Sequence, residues 1–379
     1  MNPHAEQDIA SATLQLQRLG VVMEQEPGNP LEVEGVLNPA SARGRDGQLY
    51  LFPRLVAQGN YSRIGIARVR FNVVGDPVGV ERLGIALEPQ AEYELRSDGG
   101  GCEDPRITFV EPLDRYVMTY TALSSRGPRI ALAMSENLFH WDRLGLASFM
   151  PYEGVDFNDV ANKDALLFSV AISDPDGNPA MALIHRPLFP GTGPDETLRC
   201  GYPRVMDILR ESIWISYHSL VKEVCTKHHH LCHFDSHRRL ACPVAAWEQL
   251  KIGGGTPPIL TPQGWLFLYH GVSETVNKLS GCELNYSAGL LVLDEKHPHL
   301  IHYRSPEPIL TPELSKERAG IVPNVVFPTA IDRRDDLDLP NRFDVYYGMA
   351  DSRIGVARLD LPDELPLGAL LDGAEPTDE

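Results

Sequence analysis

A three-part unit recurs five times from about residue 30 onward, and this recurrence limits the fold more than any other feature of the sequence. Each copy opens with a loop carrying polar groups beside proline or glycine: Asn38-Pro39, Glu103-Asp104-Pro105, Asn162-Lys163-Asp164, Gly253-Gly254-Gly255-Thr256-Pro257 and Pro323-Asn324. An apolar or aromatic strand follows, at Leu49 to Val56, Tyr116 to Leu123, Ala180 to Arg186, Trp265 to Val272 and Phe343 to Asp351. A strand in which small residues alternate with aliphatics closes the copy. Its equivalent positions Ile64, Ile130, Ile213, Ala288 and Ile354 lie 66, 83, 75 and 66 residues apart. Units of this size, built of several short strands, read as blades, and the helical periods of solenoids and doubly wound sheets are missing. The expected fold is all-β, a five-bladed β-propeller over residues 29–379.

Ahead of it, residues 5 to 23 place Ile9, Leu14, Leu16, Leu19, Val22 and Met23 among polar residues. The spacing predicts an N-terminal helical extension over 1–28, packed on the body or on a second subunit of a homo-oligomer. With 32 glycines and 31 prolines, about one residue in six, the chain favours turns over long helices. A net charge of -18 repels a phosphodiester backbone, so nucleic acid is excluded as a partner, while a local basic pocket for a small anion is not. No stretch reaches the roughly 18 apolar residues that cross a bilayer. Met1 to Gln7 lacks the apolar run of a secretory signal, so a cytoplasmic location is expected, with six irregularly spaced cysteines left reduced.

In a propeller the inner strand ends converge on the axis, so one residue of each blade can face a single pocket. The second strands end in Arg54, Thr121, Arg186, His270 and Asp351, and the preceding loops offer Asn38, Asp104, Lys163, Lys251 and Asn324. These residues differ in kind, which suits one polar ligand gripped from several sides. Lys163, Arg186, Lys251 and His270 would make a cationic cluster suited to phosphate. Asn38, Arg54, Asp104 and Asp351 suit the hydroxyls of a sugar, with Asp104 as the acid that protonates a leaving oxygen. The plain alternatives are ion pairs between neighbours, Glu103 with Arg106 and Lys163 with Asp164. A hydrolase would need a second carboxylate as base, Glu103 or Asp164; a phosphorylase would use phosphate itself. A propeller that only binds a glycan is the third reading.

The runs Glu103-Asp104-Pro105-Arg106, Asn162-Lys163-Asp164-Ala165, Lys251 to Pro258, Tyr269-His270-Gly271-Val272, Gly320 to Pro328 and Tyr347 to Asp351 together resemble glycoside hydrolase family 130, the β-mannoside phosphorylases and a few β-mannosidases. The resemblance covers roughly residues 30 to 360. It implies inverting phosphorolysis of a β-mannoside to α-mannose 1-phosphate, with inorganic phosphate as co-substrate and no metal or other cofactor. By similarity Asp104 is the general acid, acting through a mannose hydroxyl. Lys163, Arg186, Lys251, His270 and the adjacent Tyr286 would hold phosphate, with Lys163 where some relatives carry arginine. Asn38, Arg54, Glu103 and Asp351 would hold the mannoside. The family's hydrolases lack the cationic set, which this chain keeps.

The sequence departs from the resemblance between His218 and Cys242, which includes Cys225, His228, His229, His230, Cys232, His233 and His237. Cys225 and Cys232 with two histidines could form a tetrahedral zinc shell, but the spacing fits no common zinc pattern. An exposed loop near the pocket rim is the expectation. Trp141, Trp214, Trp247 and Trp265 fall in or beside strand motifs and are expected in the core.

Overall fold

The computed structural model describes residues 14–152, 156–189, 211–220, 231–277 and 281–369, and in it the recurring sequence becomes five four-stranded antiparallel sheet units. A first strand, β1 (Gln17–Met23), precedes unit one, which is β2 (Gly35–Arg43), β3 (Leu49–Ala57), β4 (Tyr61–Phe71) and β5 (Pro77–Leu87). Unit two is β6 (Gly100–Val110), β7 (Arg115–Ser124), β8 (Gly127–Ser135) and β9 (Asp142–Leu146). After the short β10 (Ser148–Phe149), unit three contains β11 (Ala161–Leu167), the short β12 (Ile172–Ser173), β13 (Pro179–Leu188), β14 (Ile213–Ser219) and β15 (His233–Ala241). Unit four has β16 (Lys251–Gly254), the short β17 (Ile259–Thr261), β18 (Gly264–Asn277), β19 (Gly281–Leu293) and β20 (Ile301–Arg304). One helical turn, α1 (Ser315–Arg318), leads to unit five, β21 (Val326–Arg333), β22 (Arg342–Met349) and β23 (Arg353–Asp360).

Unit five has three strands of its own, and β1 completes it by pairing antiparallel with β23, Arg18 opposite Ala357. Residues 17–23 are therefore a strand and not the end of the expected helix; residues 5–13 of that helix lie outside the described residues. The apolar spacing that reads as helical is that of a strand with two register shifts, Arg18/Gly20 and Val21/Met23, which turn Val22 and Met23 inward. Pairing also closes the β23 edge, whose backbone groups would otherwise lack partners.

Five apolar clusters each span two neighbouring units. Phe52 and Ile66 meet Met118 and Tyr120 between units one and two, and Leu132 meets Trp214 between two and three. Ile215 packs with Tyr269 between three and four, and Leu268 with Val345 between four and five. Leu51 of unit one joins Val356 of unit five. Each large side chain so buried, such as Trp265, contributes about 1.5–3 kcal/mol.

Among the described residues, four units share a buried fastening that the sequence reading did not detect. A glutamate in the loop before each first strand holds an arginine of the fourth strand. The pairs are Arg82–Glu32, Arg143–Glu94 and Arg18–Glu317, each at 2.8 Å, and Arg304–Glu248. In units two, four and five a tyrosine of the second strand donates to the same glutamate: Tyr120, Tyr269 and Tyr347. Backbone amides of the loop fill its other lone pairs, as Gln90 and Ala91 do for Glu94. The charge is fully hydrogen-bonded, and the loop is tied to both ends of the sheet. The interval from each glutamate to the first strand varies, so no fixed motif reveals it.

The polar residues expected in loops lie instead at or in the first strands. Register shifts occur at Leu37/Ala40, Glu103/Arg106 and Lys163/Leu166, marking β-bulges. Each bulge contains a left-handed residue, Asn38 (φ 43°), Asp104 (φ 45°) and Asp164 (φ 55°). Asn and Asp are the non-glycine types that best tolerate this conformation. A bulge re-aims its side chain out of the pleat, which explains why a strand can present chemistry there.

Candidate active site

Three of the bulges bring their side chains to one place. Asp104 Oδ1 accepts from Asn38 Nδ2 at 3.0 Å and lies 3.3 Å from Arg54 Nη1. Arg54 also donates to Glu103 at 2.6 Å, to Ser62 Oγ at 2.9 Å and to Asn60 Oδ1 at 3.0 Å. Burial alone would raise the Asp104 carboxyl; the charges of Arg54, Arg106 and Lys163, with the Asn38 amide, outweigh it and hold it below the usual carboxylate range. Asp351, in the turn after β22 at φ 49°, is pushed the other way, up to about 6, by burial and by the Asp104 charge.

A second group gathers round Asp164. Arg186 Nε donates to its Oδ2 at 2.6 Å, His270 Nε2 is 3.7 Å away and Arg106 Nη2 is 3.9 Å from Oδ1. Despite burial, Arg186, His270 and Arg106 hold the Asp164 carboxyl well below its ordinary value. Arg186 also pairs with Glu211, and Lys251 lies 4.0 Å from the same glutamate and 5.7 Å from the Tyr286 ring. The His270 ring packs 4.4 Å from Phe327 and 6.3 Å from Tyr286. Burial pushes its imidazole down to about 3, so it is neutral near pH 7. Burial, then Arg186, lowers the Lys251 ammonium, and burial raises the Tyr286 phenol.

Gly253 makes this approach of strands workable. A Cβ there would strike Asp164 Oδ2 and His270 Cε1 and come within 2.8 Å of Arg186 Nε. Gly348 does the same for Asn38, whose Oδ1 occupies the space a Cβ would take.

Among the described residues, Arg106 Nη2, both ring nitrogens of His270 and Asn38 Oδ1 are buried with no hydrogen-bond partner. Buried polar groups are ordinarily satisfied, so such a concentration marks a place built for a polar ligand.

Most of the expected set converges. Asn38, Arg54, Glu103, Asp104 and Asp351 form one group; Arg186, Lys251, His270 and Tyr286 form the other. Lys163 faces Arg186 in register, and its charge acts on Asp104 and Asp351, which places it between the two. Both plain ion-pair readings are overturned. Glu103 pairs with Arg54 and not Arg106, because the Asp104 bulge directs Arg106 toward Gly255 O, 2.7 Å away. Asp164 pairs with Arg186 across the sheet. Asp351 is not the register equivalent of His270: His270 faces Ala288 and Gly348 faces Ile354, so Asp351 comes from a turn three residues later. Arg106, two residues after Asp104, is near enough in sequence to be expected to hold one of the acids ionised, and it does so for Asp104; neither it nor Phe327 was among the residues expected to hold a ligand. The four tryptophans pack as expected, Trp214 and Trp265 deeply buried, Trp141 edge-on to Phe52 and Trp247 against Tyr269.

The stretch taken for an exposed loop behaves differently. Cys225 and His228 to His230 lie outside the described residues, but Cys232, Phe234 and His237 are buried where β15 forms the fourth strand of unit three. Among the described residues no three of His, Cys, Asp and Glu are grouped to hold a metal ion.

A family model described as beta-1,4-mannooligosaccharide phosphorylase matches residues 6–365. The chain belongs to glycoside hydrolase family 130. The family model and the curated relatives are named for mannoside phosphorylases, and the chain is an enzyme of this glycoside phosphorylase group. It is similar to the 1,2-beta-oligomannan phosphorylase of Thermoanaerobacter sp. strain X514, 31% identical over 88% of this chain and 93% of the relative. A beta-1,2-mannobiose phosphorylase of the same strain is 31% identical over 78% of each chain. Among solved structures, the beta-1,2-mannobiose phosphorylase of Listeria innocua superposes with a TM-score of 0.66 at 22% identity, over 91% of this chain and 97% of its own, a likeness of fold. Among the described residues no helix is long and apolar enough to cross a membrane.

Proposed function

We propose that the five units are the blades of a β-propeller closed by β1, and that its axial site performs inverting phosphorolysis of a β-mannoside to α-mannose 1-phosphate in the cytoplasm. The observation that carries this reading is a buried cationic cluster with unused donors, Arg106 Nη2 and His270, set beside an acid, Asp104. Relatives named as mannoside phosphorylases supply the substrate class. Asn38, Arg54, Glu103 and Asp351 hold the mannose that is cleaved off. Phosphate, held by Lys163, Arg186, Lys251, His270 and Tyr286, attacks the anomeric carbon from the face opposite the leaving sugar. Asp104 delivers a proton to the leaving oxygen by way of a mannose hydroxyl.

Electrostatics link the two substrates. In the ligand-free site the cations keep Asp104 ionised, the wrong state for an acid. A bound phosphate dianion offsets Arg106 and Lys163, lifts the proton affinity of Asp104 and prepares it to act. The hydrolase alternative is less well supported, because Glu103 would have to release Arg54, and Asp164 release Arg186, before either served as base.

The test is release of reducing sugar from β-1,2-, β-1,3- and β-1,4-linked mannobiose and mannosyl-N-acetylglucosamine, with and without phosphate at about 10 mM, above the usual range of Michaelis constants. Phosphate-dependent formation of mannose 1-phosphate is expected. Mannose released at the same rate without phosphate would overturn the reading in favour of a hydrolase, and no turnover of any mannoside would leave a glycan-binding propeller.

A further inference from the structure

Unit three departs from the other four at the place where they carry the arginine–glutamate fastening. At three residues past the reference position the others have Ala67, Ala133, Leu291 and Ala357, each paired with the fastening arginine. Unit three has Ser216 there. Where units two, four and five have a tyrosine, just before the second-strand site position, unit three has His185; on its fourth strand, facing Ser216, stands His237.

These residues form one buried chain of hydrogen bonds. His237 Nε2 lies 2.8 Å from Met150 O, which can only accept, so that nitrogen carries the proton and Nδ1 accepts from Ser216 Oγ at 2.7 Å. Ser216 Oγ then accepts from His185 Nε2 at 2.7 Å, and His185 Nδ1 accepts from Asn162 Nδ2 at 3.0 Å. Every donor has a single acceptor, and both imidazoles are neutral with defined tautomers. Phe149 and Phe157 pack against both rings and keep the chain dry. It runs from β11 through β13 and β14 to β15 and ends on the loop leading into the unit.

Asn162 and His185 directly adjoin Lys163 and Arg186 in sequence, on the two strands that face each other there. We propose that Asn162, His185, Ser216 and His237 are positioning residues that hold β11 and β13 in the register from which Lys163 and Arg186 meet phosphate. The chain itself carries no charge, and Arg186 beside it contacts two carboxylates, Asp164 and Glu211. The inference rests on the phosphate reading of the cluster and deepens it.

Steady-state kinetics of the full chain, varying phosphate and mannoside in turn, test it. Ser216→Ala interrupts the chain at its centre and should raise the KM for phosphate about tenfold, with the mannoside KM changed by less than about twofold. Ser216→Thr, which restores the hydroxyl, should bring the phosphate KM back toward that of the unmodified enzyme. An unchanged phosphate KM in Ser216→Ala, or equal rises for both substrates, would overturn the proposal. If the alanine variant is not recovered folded, Ser216→Cys weakens both hydrogen bonds at nearly the same volume, and the same split is expected at about threefold; its absence is equally decisive. Turnover by the unmodified enzyme that ignores phosphate removes the phosphate reading and this inference together. Phosphate-dependent turnover with an unaltered Ser216→Ala variant removes this inference alone.

Discussion

Arg334 and Arg106 are both almost fully buried, and they differ in what surrounds them. Arg334 lies where unit five packs on unit one. It holds Asp336 through Nε and Nη2 at 2.9 and 3.0 Å and Asp344 through Nη1, while Arg358 holds the other side of Asp344 at 2.9 Å and Asp76 at 2.7 Å. Arg43 clamps Asp332 with two hydrogen bonds across the same boundary. Arg106 spends its donors on two backbone oxygens, Gly255 O and Asp104 O, and keeps Nη2 without a hydrogen bond, 3.9 Å from Asp164. The same residue type thus closes the fold in one place and is left incompletely satisfied in the other. Here the buried charge with all its partners is structural, and the one with a donor left over lies at the candidate site.

If that distinction is right, substitutions in the two regions should separate stability from activity. The largest effect is expected from Asp104→Asn, which keeps an oxygen for Asn38 and Arg54 but cannot supply the proton: turnover should fall about 10³-fold with the melting transition preserved. Near-normal turnover in that variant would end the assignment of the acid. Next is Asp344→Ala, which removes the buried carboxylate shared by Arg334 and Arg358, leaves them hydrogen-bonded only to Asp336 and Asp76, and should cost about 3 kcal/mol in denaturant unfolding. Whatever folded fraction remains should keep the ratio of phosphate to mannoside KM, and a shift in that ratio would blur the comparison.

Arg186→Ala sharpens it from the other side. Phosphate KM should rise on the order of 10- to 100-fold, since a charge-assisted partner of the anion is lost, while mannoside KM changes by about threefold or less. Lys251→Ala should act in the same direction and more weakly, as a point charge does in place of a planar fork. Equal losses for both substrates would mean that the cluster does not hold phosphate.

The repeat and most of the site were legible in the sequence for one physical reason: equivalent places in a repeated sheet unit stay aligned while their side chains diverge. Arg54, Arg186 and His270 could be found because each ends an apolar run, and Asn38 and Asp104 because proline follows them. The bulges themselves were not legible, since a left-handed Asn or Asp beside proline looks like a loop until its neighbours are seen to be paired. The N-terminal strand was hidden because its two register shifts imitate a helical period. The glutamate fastenings depend on contacts more than 45 residues apart in all four units, Arg82 with Glu32, Arg143 with Glu94, Arg304 with Glu248 and Arg18 with Glu317, which no local pattern contains. His237 was misplaced for the same reason: a run rich in histidine reads as solvated until Ser216 is known to face it.

The smallest expected effect bears most directly on the contrast between satisfied and unsatisfied charge. Asp351 and Asp332 are both pushed up to about 6, chiefly by burial, but only Asp332 holds an arginine through two hydrogen bonds. A carboxyl raised in the folded state binds its proton more tightly there than in the unfolded chain. Its contribution to stability is complete below pH 4 and is lost as the pH rises through 6, where the folded protein must carry the charge beside Asp104 and Glu103. Asp351→Asn removes that charge, so it should stabilise the protein at pH 7 by about 1–2 kcal/mol, the gain fading toward pH 4, while weakening mannoside binding. Asp332→Asn loses the ionic clamp on Arg43 and should destabilise at pH 7 despite the same raised carboxyl. Unfolding curves of both variants at pH 4 and pH 7 decide the matter. A destabilised Asp351→Asn at pH 7 would place Asp351 with the structural carboxylates, whereas opposite signs for the two variants would show that a raised carboxyl strains the fold only where its partner is a ligand.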